Sequence, residues 1–183
     1  MQFWISVFGN TASIAAANPV RLSVHAMNMA QLVNVIAPIM TREGGGAWKQ
    51  TIFWPLYQAS KYGRGTALRP VVKTSVYDCS DYENIPLVDA TATMDDEGHV
   101  TIFAVNHDMA EDAALTCDLR AFGNLRILSH SVLHHDDVKA VNTEENPDNV
   151  SPKELSGDTL DGGHLTLRLP ALSWNVIRLA KAV

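Results

Sequence analysis

His99-Val100-Thr101-Ile102-Phe103-Ala104-Val105-Asn106-His107 is the stretch on which the fold turns. Its β-branched and aromatic residues fit a pleated, half-buried backbone. Asp95-Asp96-Glu97-Gly98 in front of it carries the acids and the glycine of a tight turn. Outward from this segment the pattern repeats. ALRPVVKTSVY (67–77) and PLVDATATM (86–94) precede it, and AALTCDLR (113–120), LRILSHSVL (125–133), HLTLRLP (164–170) and SWNVIRLA (173–180) follow it. Each is short and rich in Val, Ile, Leu or Thr, and several alternate apolar with polar residues, so that one face meets a core and the other meets water. Phe122-Gly123-Asn124 and Asp161-Gly162-Gly163 supply further turns. About seven such strands with this punctuation predict a mainly β domain over residues 65–183, an antiparallel, jelly-roll-like β-sandwich. Val141 to Asp161, rich in Asn, Asp, Ser, Pro and Gly, reads as a long surface loop.

The chain before residue 65 follows a different pattern. Met27 to Met40 (MNMAQLVNVIAPIM) is nearly continuous in apolar residues, with Asn28, Gln31 and Asn34 as its polar members. Such a run predicts an element buried on both sides, as in an α/β barrel. Thr41-Arg42-Glu43-Gly44-Gly45-Gly46 then reads as a flexible loop. In WKQTIFWPLYQASKYGRG, Ile52, Phe53, Leu56, Tyr57 and Ala59 form a helical stripe; Pro55 is tolerable in a first turn, and Gly63 and Gly65 end the helix. Residues 27–64 are thus one strand–loop–helix unit, which cannot bury its faces alone. Residues 1–26 form a separate segment. Ala15-Ala16-Ala17 imitates a cleavage site, but no Lys or Arg precedes Arg21, and Gly9, Asn10 and Thr11 interrupt the apolar run, so no signal peptide is expected. Nor does any stretch reach the roughly 20 apolar residues of a membrane span.

A net charge of −6, with 14 Lys+Arg against 20 Asp+Glu, argues against a nucleic-acid partner, which needs a clustered basic face. The 2 cysteines, Cys79 and Cys117, are too few for a disulfide scaffold and stand in no zinc-type spacing.

Longer motifs carry a resemblance. Ala30 to Ile39, Thr41, Gly45-Gly46-Ala47-Trp48, Gln50-Thr51-Ile52-Phe53 and Ala59-Ser60-x-Tyr62-Gly63-Arg64-Gly65 resemble the end of the catalytic barrel in bacterial, intracellular-type family 51 α-L-arabinofuranosidases. Thr101 to Asn106, His134-x-Asp136-Asp137-x-Lys139-Ala140-x-Asn142 and Leu172 to Leu179 resemble their C-terminal sandwich. The likeness covers roughly residues 27–183 and leaves out 1–26. It implies that residues 27–64 are the last strand–loop–helix remnant of a (β/α)8 barrel. It implies retaining hydrolysis of terminal α-L-arabinofuranosyl groups from arabinan, arabinoxylan and related oligosaccharides. That chemistry needs one glutamate as acid/base and another as nucleophile, close enough to act on one glycosidic bond. In the family both lie upstream of the segments matched here, so this chain is expected to hold no catalytic residue and to be inactive alone. The resemblance further implies a cytoplasmic homo-oligomer, commonly a hexamer, with no cofactor, no metal and no membrane or nucleic-acid partner. A sandwich strand that the family draws from its extreme N-terminus has no counterpart, which would leave a sheet edge open to pairing. The alternative is a freestanding non-catalytic sandwich for oligomer contacts or carbohydrate binding.

One residue inherits a role from the resemblance. Gln31 matches a glutamine that hydrogen-bonds the arabinofuranose ring, work suited to an uncharged amide with a donor and an acceptor; without the likeness, a core glutamine satisfying backbone groups is the ordinary reading. Glu43 reads as a solvated loop acid, and Trp48 as a cleft wall or a packing residue. Trp54 and Trp174 read as core, and His99 and His107 as surface residues. His134-His135-Asp136-Asp137 looks like a metal cluster, but neighbours on a strand point apart, and the family uses this motif structurally.

Overall fold

A computed structural model describes residues 31–182; the segment 1–26 and Met27–Ala30 lie outside the described residues. In chain order the strands are β1 (Ile39–Thr41), β2 (Ala47–Lys49), β3 (Thr66–Leu68), β4 (Val76–Tyr77), β5 (Ile85–Pro86), β6 (Val88–Met94), β7 (Val100–Asn106), β8 (Ala113–Asp118), β9 (Leu125–Leu133), β10 (Lys153–Glu154), β11 (Thr159–Asp161), β12 (His164–Leu169) and β13 (Ser173–Lys181). The helix α1 (Phe53–Tyr62) lies between β2 and β3. A six-stranded sheet in the order β10-β9-β13-β7-β6-β3 faces a three-stranded sheet in the order β11-β12-β8. Every neighbouring pair is antiparallel, and the expected antiparallel β-sandwich is the fold.

Alternation builds the core between the sheets. β12 buries Leu165, Leu167 and Leu169 and exposes His164, Thr166 and Arg168. These leucines pack with Val100, Ile102 and Ala104 of β7 and Ile177 and Leu179 of β13. β7 is buried along its whole length because α1 covers its other face. Phe103, Val105, Trp174 and Val176 form a second core there, packed by Trp54, Leu56, Ala59 and Tyr62. α1 thus follows its sequence stripe, with Pro55 in the first turn and Gly63 as C-cap. Gly65 is required: its φ is +101°, and a Cβ would sit 2.3 Å from the Met94 carbonyl oxygen.

Three expectations are corrected. The described part of the apolar run forms no doubly buried element: Leu32, Val33, Val35 and Ile36 are exposed at 67%, 42%, 77% and 69%. Among the described residues β1 pairs with β2 in a short hairpin, and no further strand covers that side. The segment 67–77 is not one strand. It breaks at Pro70, which lacks an N–H for a ladder, so β3 ends at Leu68 and β4 starts at Val76. The stretch Val141–Asp161 is not simply a surface loop. It contributes β10 and β11, and Val150 is 1% exposed in the second core.

Candidate functional site

Gln31 begins the described chain, exposed and outside any strand. The loop after it is held by Asn34, whose Oδ1 accepts from the Thr41 N–H at 2.7 Å and whose Nδ2 donates to Thr41 Oγ1 at 2.9 Å. Asn34 and Val35 both have positive φ, +62° and +58°. That backbone suits asparagine and strains a β-branched valine. Gln31 is thus exposed beside a row of apolar side chains.

The hairpin that follows pairs Met40 with Trp48 and turns through the glycines. Gly45 makes a close approach: a Cβ there would lie 2.8 Å from Arg42 Nε and 3.0 Å from Glu144 Oε1. Arg42 pairs with Glu144 at 2.8 Å, and Glu144 also accepts from the Gly46 N–H at 3.2 Å. The Gly46 N–H and then Arg42 hold the Glu144 carboxyl below its ordinary pKa. Asn142 adds a second tether, donating to the carbonyls of Lys49 and Val150 at 2.9 and 3.0 Å and accepting from the Val150 N–H at 2.7 Å. Glu43 is exposed and joins none of these contacts. Trp48 is half-buried, its indole nitrogen enclosed with no partner among the described residues.

The histidine motif forms a turn. His134 Nε2 donates to Asp136 Oδ1 at 3.2 Å, His135 Nδ1 accepts from the Asp137 N–H at 3.0 Å, and Asp137 Oδ1 accepts from the Lys139 N–H at 2.8 Å. Among the described residues no group of three His, Cys, Asp or Glu side chains could hold a metal. His99 and His107 are half-buried rather than plain surface residues, each held by a carboxylate: His99 by Asp95 at 2.9 Å and His107 by Asp89 at 3.2 Å. Trp174 is core, its indole N–H donating to Gln58 Oε1 at 2.8 Å, and Trp54, in the first turn of α1, is half-buried against the second core.

Sequence reasoning missed Gln58, 5% exposed, which also donates to Ser131 Oγ at 3.1 Å and so ties α1 to β9 and β13. It missed His130 as well, buried between Asp158 (2.8 Å) and Asn175 (3.2 Å). Both are polar residues inside apolar-looking segments. Their partners lie 28 to 116 positions away, so nothing local marks them.

The carboxyls carry a consistent sign. Among the described residues, every carboxyl with a displaced pKa is displaced downward: Asp95, Asp108, Asp112, Asp118 and Glu144. Asp118 is the strongest case, with the Arg120 guanidinium and then the Arg120 N–H hydrogen-bonded to it.

Residues 20–173 match the family described as Alpha-L-arabinofuranosidase C-terminal domain. The chain is 47% identical over 154 residues to the intracellular exo-α-(1→5)-L-arabinofuranosidase of Halalkalibacterium halodurans, covering 84% of this chain and 30% of that protein. Against intracellular exo-α-(1→5)-L-arabinofuranosidase 1 of Bacillus subtilis it is 48% identical over 155 residues, again 84% and 30%. The solved family 51 α-L-arabinofuranosidase AbfB of Bifidobacterium longum superimposes with a TM-score of 0.76 at 38% identity, covering 81% of this chain and 29% of that one. The chain therefore spans about 30% of the length of the curated relatives it matches.

Proposed function

The chain belongs to the α-L-arabinofuranosidase C-terminal domain family, and on that premise we propose that it is the C-terminal part of a retaining α-L-arabinofuranosidase. The whole enzyme would release terminal α-L-arabinofuranosyl groups from arabinan, arabinoxylan and related oligosaccharides, in the cytoplasm and as a homo-oligomer. In this reading residues 27–64 belong to the catalytic barrel, residues 65–183 to the sandwich domain, and the acid/base and nucleophile glutamates belong to the upstream barrel.

The observation that carries this reading is the exposed row Leu32, Val33, Val35 and Ile36 beside Gln31. A contiguous apolar strip of this kind marks a surface meant to be covered, and neighbouring barrel strands are the cover the family implies. Gln31 then points its amide at sugar hydroxyls, donating from the NH₂ and accepting at the oxygen, and orients the ring without adding charge. The downward displacement of the carboxyls supports the same division of labour. A general acid must stay protonated near neutral pH, which requires a pKa held upward. A side chain such as Glu144, ion-paired and held down, serves as a tether instead.

The purified 183-residue chain is expected to release no 4-nitrophenol from 4-nitrophenyl α-L-arabinofuranoside. Supplying a barrel polypeptide that carries both glutamates should generate activity, and Gln31→Ala in that assembly should raise KM. Turnover by the chain alone would overturn the assignment of the glutamates.

A further inference from the structure

Arg178 stands on the face of β13 that α1 covers, in line with Trp174 and Val176 and beside Ser129 of β9. Its guanidinium lies over the Tyr62 ring, 4.3 Å from the centroid. Its Nε is enclosed without a hydrogen-bond partner, and among the described residues no carboxylate pairs with it. A guanidinium has five donors and cannot give up its charge inside a protein. An enclosed Nε–H without an acceptor, on a guanidinium that keeps its charge, is an opening for an anion.

The surroundings are donor-rich too. Arg178 lines a pocket of about 160 Å³ together with Trp54, Tyr62, Ser129, Ser131 and Glu154. Trp54 Nε1 is likewise enclosed and unpartnered among the described residues. Gln58 donates to Ser131 and accepts from Trp174. Ser131 Oγ accepts from Gln58 and so keeps its own proton to donate, and the Ser129 hydroxyl has no partner among the described residues. Glu154, exposed on β10, is the acid that lines this pocket. Pockets for drug-sized molecules run to roughly 300 Å³ or more, so this volume excludes an oligosaccharide and suits a small anion.

We propose that the pocket between α1 and the six-stranded sheet binds a small carboxylate anion, with Arg178 as its charge partner and Ser129 and Ser131 donating to its oxygens. The site lies in the sandwich, apart from Gln31, and stands whether or not the arabinofuranosidase reading does. The planar fork of Arg178 matches two carboxylate oxygens. The Tyr62 ring beneath it holds the fork in place.

The test is a titration of the purified chain with sodium acetate, and separately with sodium chloride and sodium phosphate, at constant ionic strength. The Arg178 Nε–H and Trp54 Nε1–H resonances are followed by nuclear magnetic resonance. A saturable shift with acetate in the millimolar range, much weaker with chloride, is expected. Arg178→Lys keeps the charge but not the fork and should weaken acetate binding at least tenfold. Glu154→Gln removes a repelling charge at the rim and should tighten it about threefold. A non-saturating drift, equal response to all three anions, or unchanged affinity in Arg178→Lys would each overturn the proposal. Should Arg178→Lys fail to fold, the surface variant Glu154→Gln decides alone: tightening supports an anion site, and no change or weakening overturns it.

Discussion

Asn142→Ala tests how the long segment after β9 is held. Asn142 is 2% exposed. Its side chain serves three backbone groups: the carbonyls of Lys49 and Val150 and the N–H of Val150, at 2.9, 3.0 and 2.7 Å. Truncation leaves all three without that partner, and Val150 is itself 1% exposed, so water does not reach its N–H and carbonyl freely. An unmade hydrogen bond at a buried group costs about 1–3 kcal/mol. The Lys49 carbonyl belongs to an exposed residue and recovers part of its share from water, so the sum is about 3–4 kcal/mol. In urea, with a slope of roughly 2 kcal/mol per M, the unfolding midpoint should fall by about 1.5–2 M, followed by tryptophan fluorescence. The control is Asn149→Ala, which loses one exposed bond to the Val141 carbonyl at 3.1 Å and should shift the midpoint by less than about 0.3 M. If the two variants shift it equally, Asn142 is not the fastening and the assignment of Val150 to the core is wrong.

Glu144 has a folded pKa below its ordinary value, set first by the Gly46 N–H and then by Arg42. Its contribution is therefore present above the unfolded pKa and lost as pH falls through the folded one; Glu144→Gln should flatten the acid-side loss of thermal stability below roughly pH 4.5. Cys117 lines the cleft between the sheets, and burial pushes its thiol pKa up to about 11, while Cys79 is exposed. Iodoacetamide at pH 8 should alkylate Cys79 and spare Cys117, as read by mass spectrometry of the digest. Gly65→Ala meets both a φ of +101° and the Met94 carbonyl oxygen, and should destabilise by about 2 kcal/mol or more in the same urea assay.

The sandwich was legible because its strands obey one local rule. β7 and β12 fall within HVTIFAVNH and HLTLRLP, β13 outruns SWNVIRLA only by Lys181, and alternation alone predicts which side of β12 is buried. α1 was legible from its stripe and its glycine stop. Elsewhere burial was decided by partners distant in sequence. Val150 is core because Asn142 folds the segment back on itself, and loop-like composition hides that. Met27–Met40 misled in the opposite direction: its apolar residues describe a burial that the described residues do not supply. The polar fastenings, Gln58 with Trp174 and Arg42 with Glu144, join positions 116 and 102 residues apart and leave no periodic trace.

How the two parts of the chain are joined bears on what each contributes. The core between the sheets draws no residue from the segment before Leu68, and the second core takes from it only side chains of α1. Residues 31–49 bury little beyond Ala37 and Pro38. They are fastened to the sandwich by Asn142 on the Lys49 carbonyl and by Glu144 on Arg42 and Gly46. A segment held by polar fastenings, with its apolar side chains turned outward, is positioned rather than packed. The sandwich is built on the alternation of its own strands, with α1 covering one sheet, while the strip beside Gln31 stays exposed. In the proposed enzyme that arrangement lets the sandwich fix where the last barrel strand begins, and hence where the Gln31 amide meets the sugar, without touching substrate itself.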